Sequence, residues 1–593
     1  MNEPEQTSNE QPPEHVTAQA REQARDRRVL VLYEQVLEIE QRLIPTGLHV
    51  FGRAPEADAQ ADMLRMVASF ERPERQARAL TELVAEGLGH GSYASLADAA
   101  RASAAHLSER ERVDQLVRAA IERFLAEGAS AAAGWLETQA NVRRAESETI
   151  FALLEGICEQ LTVNQELDAL ARALRGEYIE PGPGADIVQN PDILPTGRNT
   201  HAVNPYTVPS EIAYRRAERV VNGLLERHRQ EHGRYPRAMA LVLWGLDNIK
   251  TQGEGVAQAL WLLGVRPVRD ALNRVTEVKV IPLAQLGRPR IDVVMTVSGI
   301  FRDLFGATMN LLDKAVRAVA VLDEPSELNR VRQHVAEQMA EEGCDFDEAA
   351  VRVFSNAPGN YGTNVNFMVL DSQWEQPDAL GDLFVTRKCF AYGRDAAGRM
   401  VEGREARAAM DRALSRVEAA YQNIDTFEIG ITDVDHYFEY LGGVSKAIEK
   451  RAQARPSIYL SDSLSNEVKV RSIEETVRLE TRAKTLNPKW YEGMLKHGFR
   501  GVAEIESHVA NTFGWSATTD GVDDWVYTEV AKTYVLDEEM LKRLSLLNPH
   551  SARSLVRRLL EAAGRGFWAA DAETLERLRE IITGLEDQLE GVG

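Results

Sequence analysis

Apolar residues gather most densely between Met239 and Phe305. Met239–Trp244 (MALVLW) is an unbroken apolar run, the pattern of a strand covered on both faces. A polar, glycine-bearing loop follows, and Val256–Leu263 reads as a helix buried on most sides. Ile291–Val297 is a second apolar, β-branched run, and Ser298–Gly299 turns it into another helix, expected from about Ile300 to Val321. Strand, loop and helix repeated in this way predict a parallel α/β unit. Such units take ligands at the loops after the carboxyl ends of their strands, here Gly245–Gly255 and Ser298–Arg302. Glu254 and Arg302 are therefore candidates for substrate binding.

On either side the spacing becomes helical. Val29, Leu32, Val36, Ile39 and Leu43 recur at helix spacing, as do Leu116, Ala119, Ala120, Phe124 and Leu125. Residues 29–177 are read as a helical region, broken at Ile44–Val50 by a compact turn whose His49 reads as a packed histidine. Residues 471–593 are mostly helical again. Their Trp490, Tyr491, Trp515, Trp525 and Trp568 fit a core better than the walls of a cleft for a flat ligand. Between the helical regions lie 178–345, a loop plus the parallel α/β unit, and 346–470, a second α/β segment. The expected fold class is α/β, a parallel core unit flanked by N-terminal and C-terminal helical regions. Residues 1–28 have too little to bury and are expected to be a disordered tail on a complete gene product.

Three further stretches carry candidate chemistry. The segment 178–204 is rich in proline and glycine and is either an ordered functional loop or a linker. Val351–Phe354 reads as a strand entering SNAPGNYGTNVNF (355–367). There Asn356, Asn360, Tyr361, Asn364 and Asn366 offer polar groups to a ligand or satisfy their own backbone. Phe427–Ile431 looks like a strand, followed by Asp433-Val-Asp-His436-Tyr-Phe-Glu439. If this segment is helical, Asp433, His436 and Glu439 stack at i, i+3 spacing as an acid/base or Mg²⁺ site. The other reading is a capped helix with His436 and Glu439 in solvent.

Composition narrows the classes. The formal charge of −22 over 593 residues argues against a nucleic-acid binder, which needs a basic face. Cys158, Cys344 and Cys389 lie far apart with no CxxC pair, so neither a disulfide framework nor a thiolate zinc site is expected, and a reducing cytoplasm fits. No run approaches a membrane span, and no signal-peptide core opens the chain. Gly245-x-x-x-x-Lys250-Thr251 imitates a phosphate-binding loop, but Ile249 stands where the second glycine must be. Any ATP is expected to be hydrolysed on another chain.

Taken together, RLIPTGLHVFGRAP, EPGPGADIVQNPDILPTGRNTHA, LWGLDNIKTQGEGVAQALWLLGVRPVRDAL, LGRPRIDVVMTVSGIFRDLF, RVFSNAPGNYGTNVNF, ITDVDHYFE, SIEETVRLETRAKTLNPKWYEGM and GWSAT are specific. In this order they resemble the C-terminal portion of the large, porphyrin-binding subunit of the magnesium chelatase and cobaltochelatase family. The asparagine-rich 355–367 loop looks more like the magnesium branch. The resemblance implies insertion of Mg²⁺ into protoporphyrin IX in chlorophyll or bacteriochlorophyll synthesis, with ATP hydrolysed by AAA+ partner subunits. It implies catalytic roles for His436 and Glu439, the latter where relatives commonly have aspartate, and metal handling by Glu439 and Asp433. The family's upstream half, with an HGxLEFMPGK-like stretch and its glutamate, has no counterpart here. The expectation is a split subunit whose N-terminal half is a separate polypeptide. The alternatives are a cobaltochelatase piece inserting Co²⁺ into a corrinoid and a non-catalytic porphyrin-binding or regulatory protein.

Overall fold

The computed structural model describes residues 47–591 apart from 73–74, 101–102, 185, 189, 396, 427 and 463–468, together with residues 32, 36 and 39. The expected tail at 1–28 and most of the helical spacing at 29–43 lie outside the described residues. The chain forms two compact units. One contains Glu56–Gln160, the other Ile44–Pro55 and Leu161–Gly593.

The first unit is helical because its apolar residues recur every three or four positions. Its longest helix among the described residues, Ala104–Glu127, starts where Ser103 accepts the His106 N–H and buries Val113, Val117 and Ile121. Phe124 stacks on Phe151 of the helix Arg144–Thr162, their ring centroids 5.4 Å apart.

An eight-stranded sheet organises the second unit. In chain order its strands are β1 Ala238–Leu243, β2 Asp292–Val297, β3 Val353–Ser355, β4 Phe390–Arg394, β5 Met400–Glu405, β6 Ala419–Ile424, β7 Ser457–Asp462 and β8 Lys469–Ser472. They lie side by side in the order β8-β7-β6-β1-β2-β3-β4-β5. The five from β7 to β3 run parallel, and β8, β4 and β5 finish the edges antiparallel. Every residue of β1 and β2 is buried, as expected of β1's unbroken apolar run and of β2, whose Asp292 and Thr296 are its polar members. Leu224, Leu260 and Leu312, from the helices Glu211–His232, Glu254–Leu263 and Gly306–Ala320, share one core with Leu241 and Met295 of the sheet. Each such side chain contributes about 1.5–3 kcal/mol by leaving water.

The segments 178–345 and 346–470 thus supply strands to one sheet. The helix expected over Ile300–Val321 is two, Gly299–Leu304 and Gly306–Ala320, because Phe305 leaves helical geometry at φ −114°, ψ 36°. The strand expected at Phe427–Ile431 does not form. Phe427 lies outside the described residues, and 428–431 is irregular. The strand is β6, a few residues earlier, whose Tyr421, Gln422 and Asn423 disguise it. Tyr421 and Asn423 are tolerated there because Tyr421 bonds Ser461 of β7, while the Ser461 hydroxyl donates to Asn423 Oδ1 at 2.8 Å.

Connections leave β1 and β6 in opposite directions across the sheet. Their pairing ends at Tyr421–Leu241, although β1 runs on to Leu243 and β6 to Ile424. The strand ends therefore part, and the crevice between them is where an open α/β sheet takes ligands.

At the opposite end of β2, Asp292 is buried between Arg352, whose Nε is 2.9 Å from Oδ1, and His334, whose Nδ1 is 2.8 Å from Oδ2. Burial alone would raise the Asp292 pKa, but the Arg352 charge and the His334 contact hold it well below the usual carboxylate range. Among the described residues no helix is long and apolar enough to cross a membrane. Cys158, Cys344 and Cys389 are free thiols.

Candidate functional site

After β6 the chain crosses a loop and enters a helix whose early turn, Phe438–Gly442, is π-helical before Gly443–Ala452 continues as α-helix. Such turns fit one extra residue into a helix and recur at functional sites. Glu439 sits on this one, its side chain only 1% exposed. Glu439 Oε1 accepts the N–H of Asn364 at 2.9 Å, the Thr363 hydroxyl at 3.0 Å and the Thr363 N–H. These donors converge because Gly362 turns at φ +68°, and a Cβ there would stand 3.1 Å from Oε1. Glu439 Oε2 lies 2.9 Å from Nδ1 of His436, whose ring is 61% exposed. A buried carboxylate thus backs an imidazole that meets solvent.

Each partner shifts the other. The hydrogen bond to Glu439 raises the His436 pKa against desolvation, helped by Asp435. Burial would raise the pKa of Glu439, but His436 and the Thr363 and Asn364 amides hold it below the usual value. Trp244, directly after β1, packs beside them, its ring 4.4 Å from Tyr440 and 6.3 Å from His436.

The expected column of Asp433, His436 and Glu439 does not form, because the chain is a turn at Asp433 and becomes helical only at His436. Asp433 faces away to Lys484 and to His508, whose Nε2 is 2.9 Å from Oδ1. Burial opposes its ionisation, but His508 and Lys484 beside it hold its carboxyl far below the usual range. This corrects its expected place beside Glu439 as a metal ligand. Asp433 instead anchors the loop. Lys484 comes from a second π-helical turn, Thr481–Thr485, and Glu480 just before it accepts the N–H groups of Ile431 and Thr432, both at 2.9 Å. Nothing larger than glycine fits at 430, since a Cβ there would lie 2.1 Å from Glu480 Oε1. Gly430→Ala is expected to cost about 1–3 kcal/mol, read as a lowered denaturation midpoint.

Three of the expected substrate contacts are consumed inside the protein, which corrects their assignment to a ligand. Asn356 is fully buried and gives Nδ2 to the carbonyls of Gly362 (2.6 Å) and Arg387 (3.2 Å). Arg302 braces the same loop, donating Nη1 to the carbonyls of Ala357 and Asn360 at 2.8 Å each and Nε to Asp303 at 2.7 Å. Glu254 is 1% exposed and lies 3.5 Å from Arg216. Asn364 contributes its backbone N–H to Glu439. Asn360 and Tyr361 stay at the surface, with Tyr361 under the Arg302 guanidinium at 5.1 Å and bonded to Asp303. His49 holds Glu166 at 3.0 Å while its ring stays largely exposed.

The segment imitating a phosphate loop is a short helix, Gly245–Lys250, and Lys250 pairs with Asp425 at 3.0 Å. Asp247 beside it is buried, and burial, reinforced by Asp425 and Glu254, pushes its pKa well up. With no loop to wrap phosphates, the purified chain is expected to hydrolyse no ATP. A phosphate-release assay giving turnover that Lys250→Ala leaves unchanged would place a nucleotide elsewhere. The proline-rich segment 178–204 is ordered over its described residues. Its Asp186 takes the Thr426 hydroxyl at 3.3 Å, joining that segment to the loop after β6.

At the carboxyl end of the sheet the segments after four strands leave apolar side chains in solvent. Leu246 follows β1, Ile300 follows β2, Tyr361 and Phe367 follow β3, and Ile429 follows β6, all 41–60% exposed. Sequence reasoning missed Trp244, Lys388, Tyr440, Glu480, Lys484 and His508. Only Trp244, the last residue of a predicted strand, carried a local signal. Trp490, Trp515 and Trp568, weighed as cleft walls, are core. Among the described residues no group of three or more His, Cys, Asp or Glu side chains is arranged to hold a metal ion.

A sequence model of the CobN/Magnesium Chelatase family matches residues 5–575. The chain is 43% identical to the chloroplastic magnesium-chelatase protein ChlH of Oryza sativa subsp. indica over 96% of its own length and 43% of that protein's. It is 38% identical to the H-type magnesium-chelatase protein of Chlorobaculum parvum, over 95% of itself and 45% of that protein. Among solved structures it resembles the catalytic subunit of cobaltochelatase from Mycobacterium tuberculosis, with TM-score 0.83 and 33% identity over 92% of this chain and 45% of that one. The chain therefore spans less than half the length of these relatives.

Proposed function

The chain belongs to the CobN/magnesium chelatase family, and on that premise we propose that it is the tetrapyrrole-binding, catalytic portion of an ATP-dependent chelatase inserting Mg²⁺ into protoporphyrin IX. ATP is hydrolysed by partner AAA+ subunits, and the product enters chlorophyll or bacteriochlorophyll synthesis. The carrying observation is the His436–Glu439 pair, an exposed imidazole backed by a buried carboxylate beside Trp244 at the carboxyl ends of the strands. Leu246, Ile300, Tyr361, Phe367 and Ile429, exposed on the segments that follow these strands, offer a flat apolar macrocycle the contact it needs.

Metallation replaces two pyrrole N–H protons by one Mg²⁺, a substrate ion that gives up its waters reluctantly. With Nδ1 engaged by Glu439, the Nε2 of neutral His436 is the basic nitrogen left to take a pyrrole proton. The carboxylate stabilises the imidazolium that forms, and the exposed ring releases the proton to solvent before accepting the second. The higher identity to magnesium-chelatase proteins than to the cobaltochelatase structure supports Mg²⁺ over Co²⁺.

The test is reconstitution of the chain with AAA+ subunits, ATP and the remainder of such a large subunit, added as a separate polypeptide. Magnesium-porphyrin fluorescence is followed against Co²⁺ with a corrinoid. Mg²⁺ insertion is expected. Cobalt insertion alone would move the chain to the other branch, and porphyrin binding without insertion of either metal would make it a carrier or regulator.

A further inference from the structure

Lys388, the last residue of the helix Asp378–Lys388, is fully buried. Its amine donates to the carbonyl of Val297 at the end of β2 (2.8 Å) and to Asn356 Oδ1 (2.9 Å), and it sits 4.1 Å from the centre of the Tyr440 ring. Burying an amine among neutral acceptors is costly, and packing alone would be better served by leucine or methionine. The groups beyond Asn356 explain its presence. Asn356 Nδ2 donates to the Gly362 carbonyl at 2.6 Å. That oxygen belongs to the same peptide unit as the Thr363 N–H, which donates to Glu439 Oε1. A hydrogen bond accepted at a peptide oxygen strengthens the N–H of that peptide as a donor. The line is therefore continuous from Lys388 through Asn356 and the Gly362–Thr363 peptide to Glu439 and His436.

We infer that Lys388 is a positioning residue for metal insertion. Acting through Asn356 and the Gly362–Thr363 peptide, it fixes the Glu439 carboxylate behind His436. The inference rests on His436–Glu439 being the proton-accepting pair. Tyr440 closes the other side of the amine, on the same π-helical turn as Glu439, so Lys388 also ties that turn to the ends of β2 and β3.

The test uses the full chain, deuterated and labelled with ¹⁵N-threonine, with the Thr363 amide assigned by Thr363→Ser. In the parent its proton resonance is expected downfield, as for an amide N–H that donates to a carboxylate. Lys388→Met should shift it upfield, and so should Asn356→Ser, which leaves the amine and cuts the next link. The second variant decides if the first does not fold. A Thr363 resonance at an ordinary shift in the parent, or one unmoved in the folded variants, overturns the relay. In the reconstituted assembly Lys388→Met should lower kcat about tenfold with KM for porphyrin unchanged. A variant with a moved resonance but the parent's kcat overturns the positioning role. If the parent assembly inserts no metal, the chelatase reading fails instead, and the Thr363 resonance still decides the relay.

Discussion

Replacing His436 by Ala is expected to lower metal insertion by about 10²–10⁴-fold, the usual cost of losing a general base, with porphyrin affinity and melting temperature close to the parent's. The side chain is largely exposed, so nothing collapses around the gap. Glu439→Gln should act in the same direction while keeping an oxygen for the Thr363 and Asn364 amides. The pH profile separates the two roles. His436 accepts a proton only when neutral, so insertion should fall as pH drops through its pKa, which Glu439 raises above the ordinary value of about 6.5. In Glu439→Gln the residual activity should keep its acid limb at lower pH than the parent. Two variants that chelate like the parent would leave the pair a structural contact.

The second large effect is on stability, far from the crevice. Asp292→Asn should cost about 3–5 kcal/mol, because Arg352 remains buried without its counter-charge. The folded-state pKa of Asp292 is depressed. Its contribution is therefore complete above the unfolded value of about 3.9 and is lost as pH falls from there toward the folded one. Denaturant titrations at neutral pH should show the loss. Parent and variant should converge in acid as far as both remain folded. A variant as stable as the parent at neutral pH would mean that Arg352 finds another acceptor. Insertion per folded molecule should be unchanged, since Asp292 lies at the amino end of β2 and the crevice at the carboxyl ends.

Legibility in the sequence followed burial. β1 and β2 stood out because parallel strands covered on both faces are built mostly from apolar side chains, Asp292 and Thr296 being the exceptions in β2. β6 was misplaced because Tyr421 and Asn423 look like loop residues until Ser461 and Asp247, distant in sequence, satisfy them. His436 and Glu439 were singled out by their spacing as a candidate acid and base, and the structure joins them by a hydrogen bond of 2.9 Å. Their spacing could not show that Asp433 turns away, because Lys484 and His508 lie on separate helices beyond residue 480. The asparagines of 355–367 were visible as polar groups, but which of them face inward depends on Arg302 and Lys388. No local pattern announces a lysine that ends an ordinary helix and is buried by tertiary contacts alone.

The π-helical turn at Phe438–Gly442 has an evolutionary side. An extra residue lodged in a helix lets a family acquire a side chain at a new angle by a single-codon insertion, and lose it as easily. Deleting one residue there would return the helix to regular winding and raise its intrinsic stability, while rotating Glu439 about 100° away from Thr363. Selection for robustness and selection for chemistry therefore pull on this codon in opposite directions. A descendant that no longer needs Glu439 at this angle would be free to lose the extra residue and keep the surrounding sheet.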